Sequence, residues 1–124
     1  MCLFETPLAH IYLQNKFFDY LGAGKPIVAA LRGHQRQIIE RVGAGICVDP
    51  KDSAGLADAI LDLYKNPRSC EQMGTRGEHF ATQYFCLDDI LNTYVQLVNA
   101  CFEGRKPPLL PDSDSMFSPS FVID

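Results

Sequence analysis

The chain has 124 residues, 47% of them hydrophobic and 21% charged, enough for one soluble globular domain with a real core and too little for two. A net charge of -4 and a pI near 5.2, with no basic stripe, exclude a nucleic-acid binder, which must neutralise phosphates. The longest apolar runs are far too short to span a bilayer, and Met1 is not followed by a charged region and a leader-like apolar segment, so the cytoplasm is the expected compartment.

In chain order, Cys2 to Phe4 reads as a short strand stopped by Glu5-Thr6-Pro7, and its abrupt start suggests that upstream strands are missing. Leu8 to Leu13 is a further turn of helix or an ordered loop, which six residues of periodicity do not decide. Gln14 is a polar lead-in to a short helix beginning at Asn15 and covering Lys16 to Leu21, with Asn15 as its N-cap. Gly22 and Gly24 end that helix, Lys25-Pro26 turns the chain, and Ile27 to Leu31 is an unbroken apolar strand of the kind covered on both faces. Arg32 to His34 is a polar turn. Gln35 to Val42 places Ile38, Ile39 and Val42 on one side of a helix closed by Gly43, and Gly45 to Val48 is a compact strand stopped by Asp49-Pro50.

From Ser53 the pattern is helical, with Leu56, Ala57, Ile60, Leu61 and Tyr64 as the apolar face and Asn66-Pro67 as the stop. A helix from about Arg68 to Phe80 carries Met73, Phe80 and Tyr84 on its apolar side and is weakened by Gly74 and Gly77. Asp88 to Phe102 is a helix with acidic residues in its first turn and Ile90, Leu91, Tyr94, Leu97, Val98 and Cys101 along one stripe. Residues 1 to 104 read as the domain and 105 to 124, broken by prolines and a Ser/Asp cluster, as a mostly disordered tail. The expected fold class is α/β: about three parallel strands flanked by helices, which right-handed crossovers would place as half of a Rossmann-like doubly wound sheet.

The chemistry concentrates at the first helix. A first turn with spare amides, the partial positive charge of the helix end and the Lys16 ammonium suit a phosphate or diphosphate. Asp19, four residues past Asn15, lies one turn along the same face, where a carboxylate can accept from the two hydroxyls of a ribose. Each residue also has a plain structural role: Asn15 as a cap, Lys16 as a solvated charge, Asp19 as a surface carboxylate.

The run Asn15-Lys16-Phe17-Phe18-Asp19-Tyr20-Leu21-Gly22-Ala23-Gly24-Lys25-Pro26-Ile27-Val28 resembles the donor-site helix of retaining glycosyltransferases of the GT-B fold, family 4, in the branch that builds bacterial surface polysaccharides. The likeness continues to about Phe85, roughly two thirds of the chain. It implies that this is the donor-binding part of such an enzyme, with Gln14, Asn15, Lys16 and Asp19 as substrate-binding residues and no catalytic residue, metal or cofactor of its own. The implied partners are a nucleoside diphosphate sugar, chiefly a UDP sugar, and a glycan or lipid-linked acceptor held by a missing domain, with peripheral association at the inner membrane face. The rival readings are a non-catalytic nucleotide-binding module and an inactive truncated product that acts by association, as a homo-oligomer through an exposed sheet edge.

The match has departures. Many members of the resembled family carry an acid eight positions before the one at Asp19, and here that position is Ile11; Glu5 lies too early to replace it. An acid often found in the turn after the next strand is replaced by Gln37. Gly22-Ala23-Gly24-Lys25 is not a phosphate-binding Walker loop, because Asp19 and Pro26 stand where it needs Gly and Ser or Thr. Neither glycine pair, at Gly22/Gly24 or at Gly43/Gly45, is completed to a dinucleotide fingerprint. His10, in the loop expected to wrap the donor, His34 and His79 are solitary, and the five scattered cysteines have neither metal-ligand nor disulfide spacing.

Overall fold

The computed structural model describes residues 13–106. The expected strand at residues 2–4, the loop after it, Ile11, His10 and residues 107–124 of the expected tail lie outside the described residues. Packing divides the chain into one unit up to Tyr84 and a second from Phe85, each considered by itself.

The first unit is built on a parallel pair of strands. The helices and strands run α1 (Asn15–Gly22), β1 (Ile27–Ala30), α2 (His34–Val42), β2 (Gly45–Val48), α3 (Ser53–Lys65) and α4 (Pro67–Tyr84). The strands pair in register Ile27 with Gly45 through Ala30 with Val48. The ladder extends one bond beyond each end, with the Ile27 N–H donating to the Ala44 carbonyl at 3.0 Å and the Leu31 N–H to the Val48 carbonyl at 3.3 Å. Among the described residues the sheet therefore has two strands of the three expected. Ile27, Ala29, Ala30 and Leu31 are buried, so side chains on both faces of β1 are covered, as its unbroken apolar character requires.

Strand-helix-strand with parallel strands is the β1-α2-β2 crossover. Ile38, Ile39 and Val42 are the buried face of α2, which packs on β2. Gly43 closes it in the left-handed conformation at φ 64°, and the Ala44 N–H donates back to the Ile39 carbonyl at 3.0 Å. At the end of α1 only Gly24, φ 63°, adopts the left-handed region; Gly22 is the last helical residue.

Two sequence readings are corrected by the packing. The apolar face of α3 was expected on Leu56, Ala57, Ile60, Leu61 and Tyr64, but the buried residues are Ala59 and Leu63, while Ile60, Leu61 and Tyr64 are 54%, 51% and 83% exposed. Leu56, Ala59 and Leu63 also recur at three and four, so the helix carries two apolar stripes, and the one with the small Ala59 meets the strands and α4. In α4, Gly74 and Gly77 were read as weaknesses. Both are buried contact points where the helix approaches its neighbours: a Cβ on Gly74 would fall 2.2 Å from the Gly24 carbonyl oxygen, and one on Gly77 3.3 Å from the Ala44 Cβ. The cost of glycine in a helix is accepted for that approach.

The second unit contains α5 (Leu87–Phe102), with Asp88 and Asp89 in its first turn. Of its expected apolar stripe Ile90, Leu91 and Tyr94 are about half or more exposed, and Ala100 is its buried residue.

Candidate functional site

Helix α1 exists because it buries one side. Phe17 and Leu21, four residues apart, are fully buried, and the rings of Phe17 and Phe18 meet edge-on at 5.7 Å. The helix packs on α4 where Gly74 and Gly77 leave room; Gly77 faces the Leu21 side chain and carbonyl. Anchoring that side turns the other outward: Asn15, Lys16, Asp19 and Tyr20 are exposed, and Gln14 is half-buried. Asn15 to Asp19 is one turn, about 6 Å along the axis.

The cap lies one residue earlier than the sequence suggested. Gln14 has the extended backbone of an N-cap, φ -77° and ψ 142°, and its carbonyl accepts from the Phe17 N–H at 2.9 Å; Asn15 is the first helical residue. The Gln14 side chain makes no capping hydrogen bond. Gln carries one methylene more than Asn and is a poor cap, so the helix starts without that bond. The Phe17 amide is engaged internally, and the amides at the tip are those of Asn15 and Lys16.

A second polar cluster, not picked out from the sequence, sits at the carboxyl ends of the strands. Asp49, directly after β2, accepts from Arg32 Nη2 at 3.1 Å and from Arg36 Nη1 at 2.8 Å, while Arg36 Nε donates to Glu40 at 2.8 Å. The hydrogen bond and charge of Arg32, then those of Arg36, hold the Asp49 carboxyl below the usual carboxylate range. Among the described residues two cations thus meet two anions, and the cluster ties the turn after β1 to the turn after β2. The only sequence signal was the arginine pair flanking the Gly33 turn and an acid ending the next parallel strand. His34 begins α2, Gln37 is exposed on it, and His79 is exposed on α4.

Two concavities formed by described residues lie elsewhere. One of about 550 Å³ is lined by Glu71, Gln72, Thr75 and Arg76 of α4, and one of about 190 Å³ by Tyr20, Lys25, Pro26, Ile27 and Val28. Neither is lined by Gln14, Asn15, Lys16 or Asp19. The structure thus places those four along the tip and outer face of one helix, without enclosing them among the described residues. Among the described residues there is no group of three or more His, Cys, Asp or Glu placed to hold a metal, and no helix long and apolar enough to cross a membrane.

Among known proteins, no curated protein and no solved structure matches the chain. The sequence profile of the family described as glycosyl transferases group 1 matches residues 18–80, from within α1 to within α4 and slightly more than half of the 124 residues. The matched stretch includes Asp19, the β1-α2-β2 crossover and Gly74, and stops short of α5; on it, the chain belongs to the group 1 glycosyl transferases.

Proposed function

We propose that this chain is the donor-binding part of a retaining glycosyltransferase of the GT-B fold, family 4, and that it holds a nucleoside diphosphate sugar, a UDP sugar in our reading. The sugar passes to a bacterial surface glycan or its lipid-linked precursor, held by a second domain, at the cytoplasmic side of the membrane. The observation that carries the reading is the outward face of α1: an uncapped amino end with Lys16 beside it, and an exposed carboxylate at Asp19 one turn along. Diphosphate at the tip would meet the Asn15 and Lys16 amides and the Lys16 ammonium, and the Asp19 carboxylate would accept from the ribose hydroxyls.

In the transfer step the bond between the anomeric carbon and the diphosphate breaks, and negative charge grows on the leaving phosphate. Fixed amide dipoles and a cation already placed there stabilise that charge without reorganising. No described residue is assigned as a general base, so the chain alone is expected to bind donor weakly and transfer nothing.

Titration of UDP, UDP-sugars and GDP into the chain, followed by amide chemical shifts, tests this. Shifts at Asn15 and Lys16 on adding a UDP ligand, weakened about tenfold in Asp19→Ala, support it; two ribose hydrogen bonds to a charged acceptor account for that size. Binding that is indifferent to Asp19→Ala, or shifts confined to α4 beside the larger concavity, would overturn the assignment. Indifference to every nucleotide would favour the inert, association-only reading.

A further inference from the structure

Helix α1 runs back along the strand that follows it. Tyr20, in its last turn, lines one concavity with Ile27 and Val28, so the helix lies beside β1 and points the opposite way. Its eight residues span about 12 Å, and the four of β1 about 13 Å. The amino end of α1 and the carboxyl end of β1 therefore come out at the same end of the sheet, the end outside which open parallel α/β sheets bind their ligands. Arg32 stands there, two residues past β1.

Its guanidinium is the more open of the two cations on Asp49. The Arg32 side chain is 49% exposed against 30% for Arg36, and its bond to Asp49 Oδ2 is 3.1 Å long against 2.8 Å from Arg36 to Oδ1. Arg36 is also paired with Glu40, one turn along its own helix. Because the two arginines use different oxygens of Asp49, the carboxylate keeps Arg36 when Arg32 turns to another anion, and the two turns stay tied. A guanidinium is suited to that exchange: its planar fork fits the oxygens of a phosphate as it fits those of a carboxylate.

Resting on the donor reading above, we propose that Arg32 is a second cation for the diphosphate of the bound nucleotide, held by Asp49 in the empty chain and passed to the phosphate oxygens on binding. Lys16 of α1 and Arg32 of the turn after β1 then meet the diphosphate from two elements, and Asp49 competes with the ligand for Arg32.

UDP and uridine are titrated into the full chain and its variants and followed by amide chemical shifts. Arg32→Ala should weaken UDP about tenfold, the size of a lost charge-assisted hydrogen bond, and leave uridine, which has no phosphate, unchanged. Arg32→Lys keeps a charge for Asp49 and should fall between Ala and wild type. Asp49→Asn frees Arg32 and should tighten UDP several-fold, although it loosens the fold. That gain should vanish in the double variant with Arg32→Ala. Asp52→Asn is the control: it removes the same charge three residues on, from the cap of α3, and should leave UDP affinity unchanged.

If UDP shifts Asn15 and Lys16 and is weakened by Asp19→Ala but not by Arg32→Ala, the inference about Arg32 falls and the donor reading stands. Equal loss of UDP and uridine in Arg32→Ala, or a gain from Asp49→Asn that persists without Arg32, also overturns it, because the arginine then acts on the fold or the charge acts at large. No binding of UDP by any of these chains overturns both.

Discussion

Gly74 of α4 lies so close to Gly24 that a Cβ at position 74 would fall 2.2 Å from the Gly24 carbonyl oxygen. That approach seats the end of α1 on α4 and, with Phe17 and Leu21 buried, fixes which face of α1 looks outward. The orientation of Asp19 thus depends on a glycine 55 positions away in a different helix.

Gly74→Ala should therefore destabilise the chain by about 1–3 kcal/mol, since a backbone carbonyl cannot swing aside as a flexible side chain would. Gly22→Ala is the control. A Cβ there meets nothing within 4 Å, and alanine is the better helix former, so a gain of roughly 0.5–1 kcal/mol is expected. Urea unfolding of both variants checks the pair, and equal effects of the same sign would refute the packing argument.

These contacts explain which parts of the fold could be read in advance. The α2 helix with its Gly43 stop, the two strands and the Asn66-Pro67 break are local matters of periodicity and turn chemistry, and each falls within a residue or two of its expected place. What sequence could not supply was the partner of each face. In α3 both Leu56/Ala59/Leu63 and Ala57/Ile60/Leu61/Tyr64 satisfy helical spacing, and only the geometry of the strands chooses between them. Gly74 and Gly77 look like helix breakers until their neighbours are known, the Gly24 carbonyl for Gly74 and Ala44 and Leu21 for Gly77. At the candidate site, residue types and order were legible, whereas the cap slipped from Asn15 to Gln14 because an exposed helix end costs little to shift by one residue. The arginine clamp on Asp49 left little trace in the sequence because Arg32 and Arg36 stand 17 and 13 residues before it.

That clamp makes stability depend on acid. The Asp49 carboxyl is held below its ordinary value in the folded chain, so its contribution is complete above the unfolded value, about 4, and is lost as pH falls through the lower folded one. Asp49→Asn should unfold at lower urea than wild type at pH 7, with the two midpoints converging as pH falls below the ordinary carboxylate value and wild-type Asp49 takes up its proton. A gap that stays constant with pH would mean that packing rather than charge ties the two turns.

Cys47 predicts the opposite limb. Burial, with the Glu40 charge adding and Arg36 opposing, pushes this thiol up to about 11. A folded value above the unfolded one means that the neutral thiol's contribution is present in full below the ordinary thiol range and fades as pH rises through about 11. At pH 8 iodoacetamide should modify exposed Cys101 well before Cys47, because the thiolate is the nucleophile. Peptide mapping after partial alkylation reads the order, and early labelling at Cys47 would contradict its place in β2.

The uncapped end of α1 allows stability and ligand binding to be set against each other at one residue. Gln14 holds the cap position without a side-chain bond, so Gln14→Ser should supply one and stabilise the chain by about 0.5–1 kcal/mol. The serine oxygen would then accept from a first-turn amide that the proposed diphosphate also needs, and it would crowd the tip where the phosphate is to sit. Nucleotide affinity should therefore fall several-fold while the unfolding midpoint rises, with Asp19 untouched. Differential scanning fluorimetry and a UDP titration on the same preparation give both readings. If affinity rises together with stability, the amides are not where the phosphate binds, and the donor must be held by the Asp19 side of the helix alone.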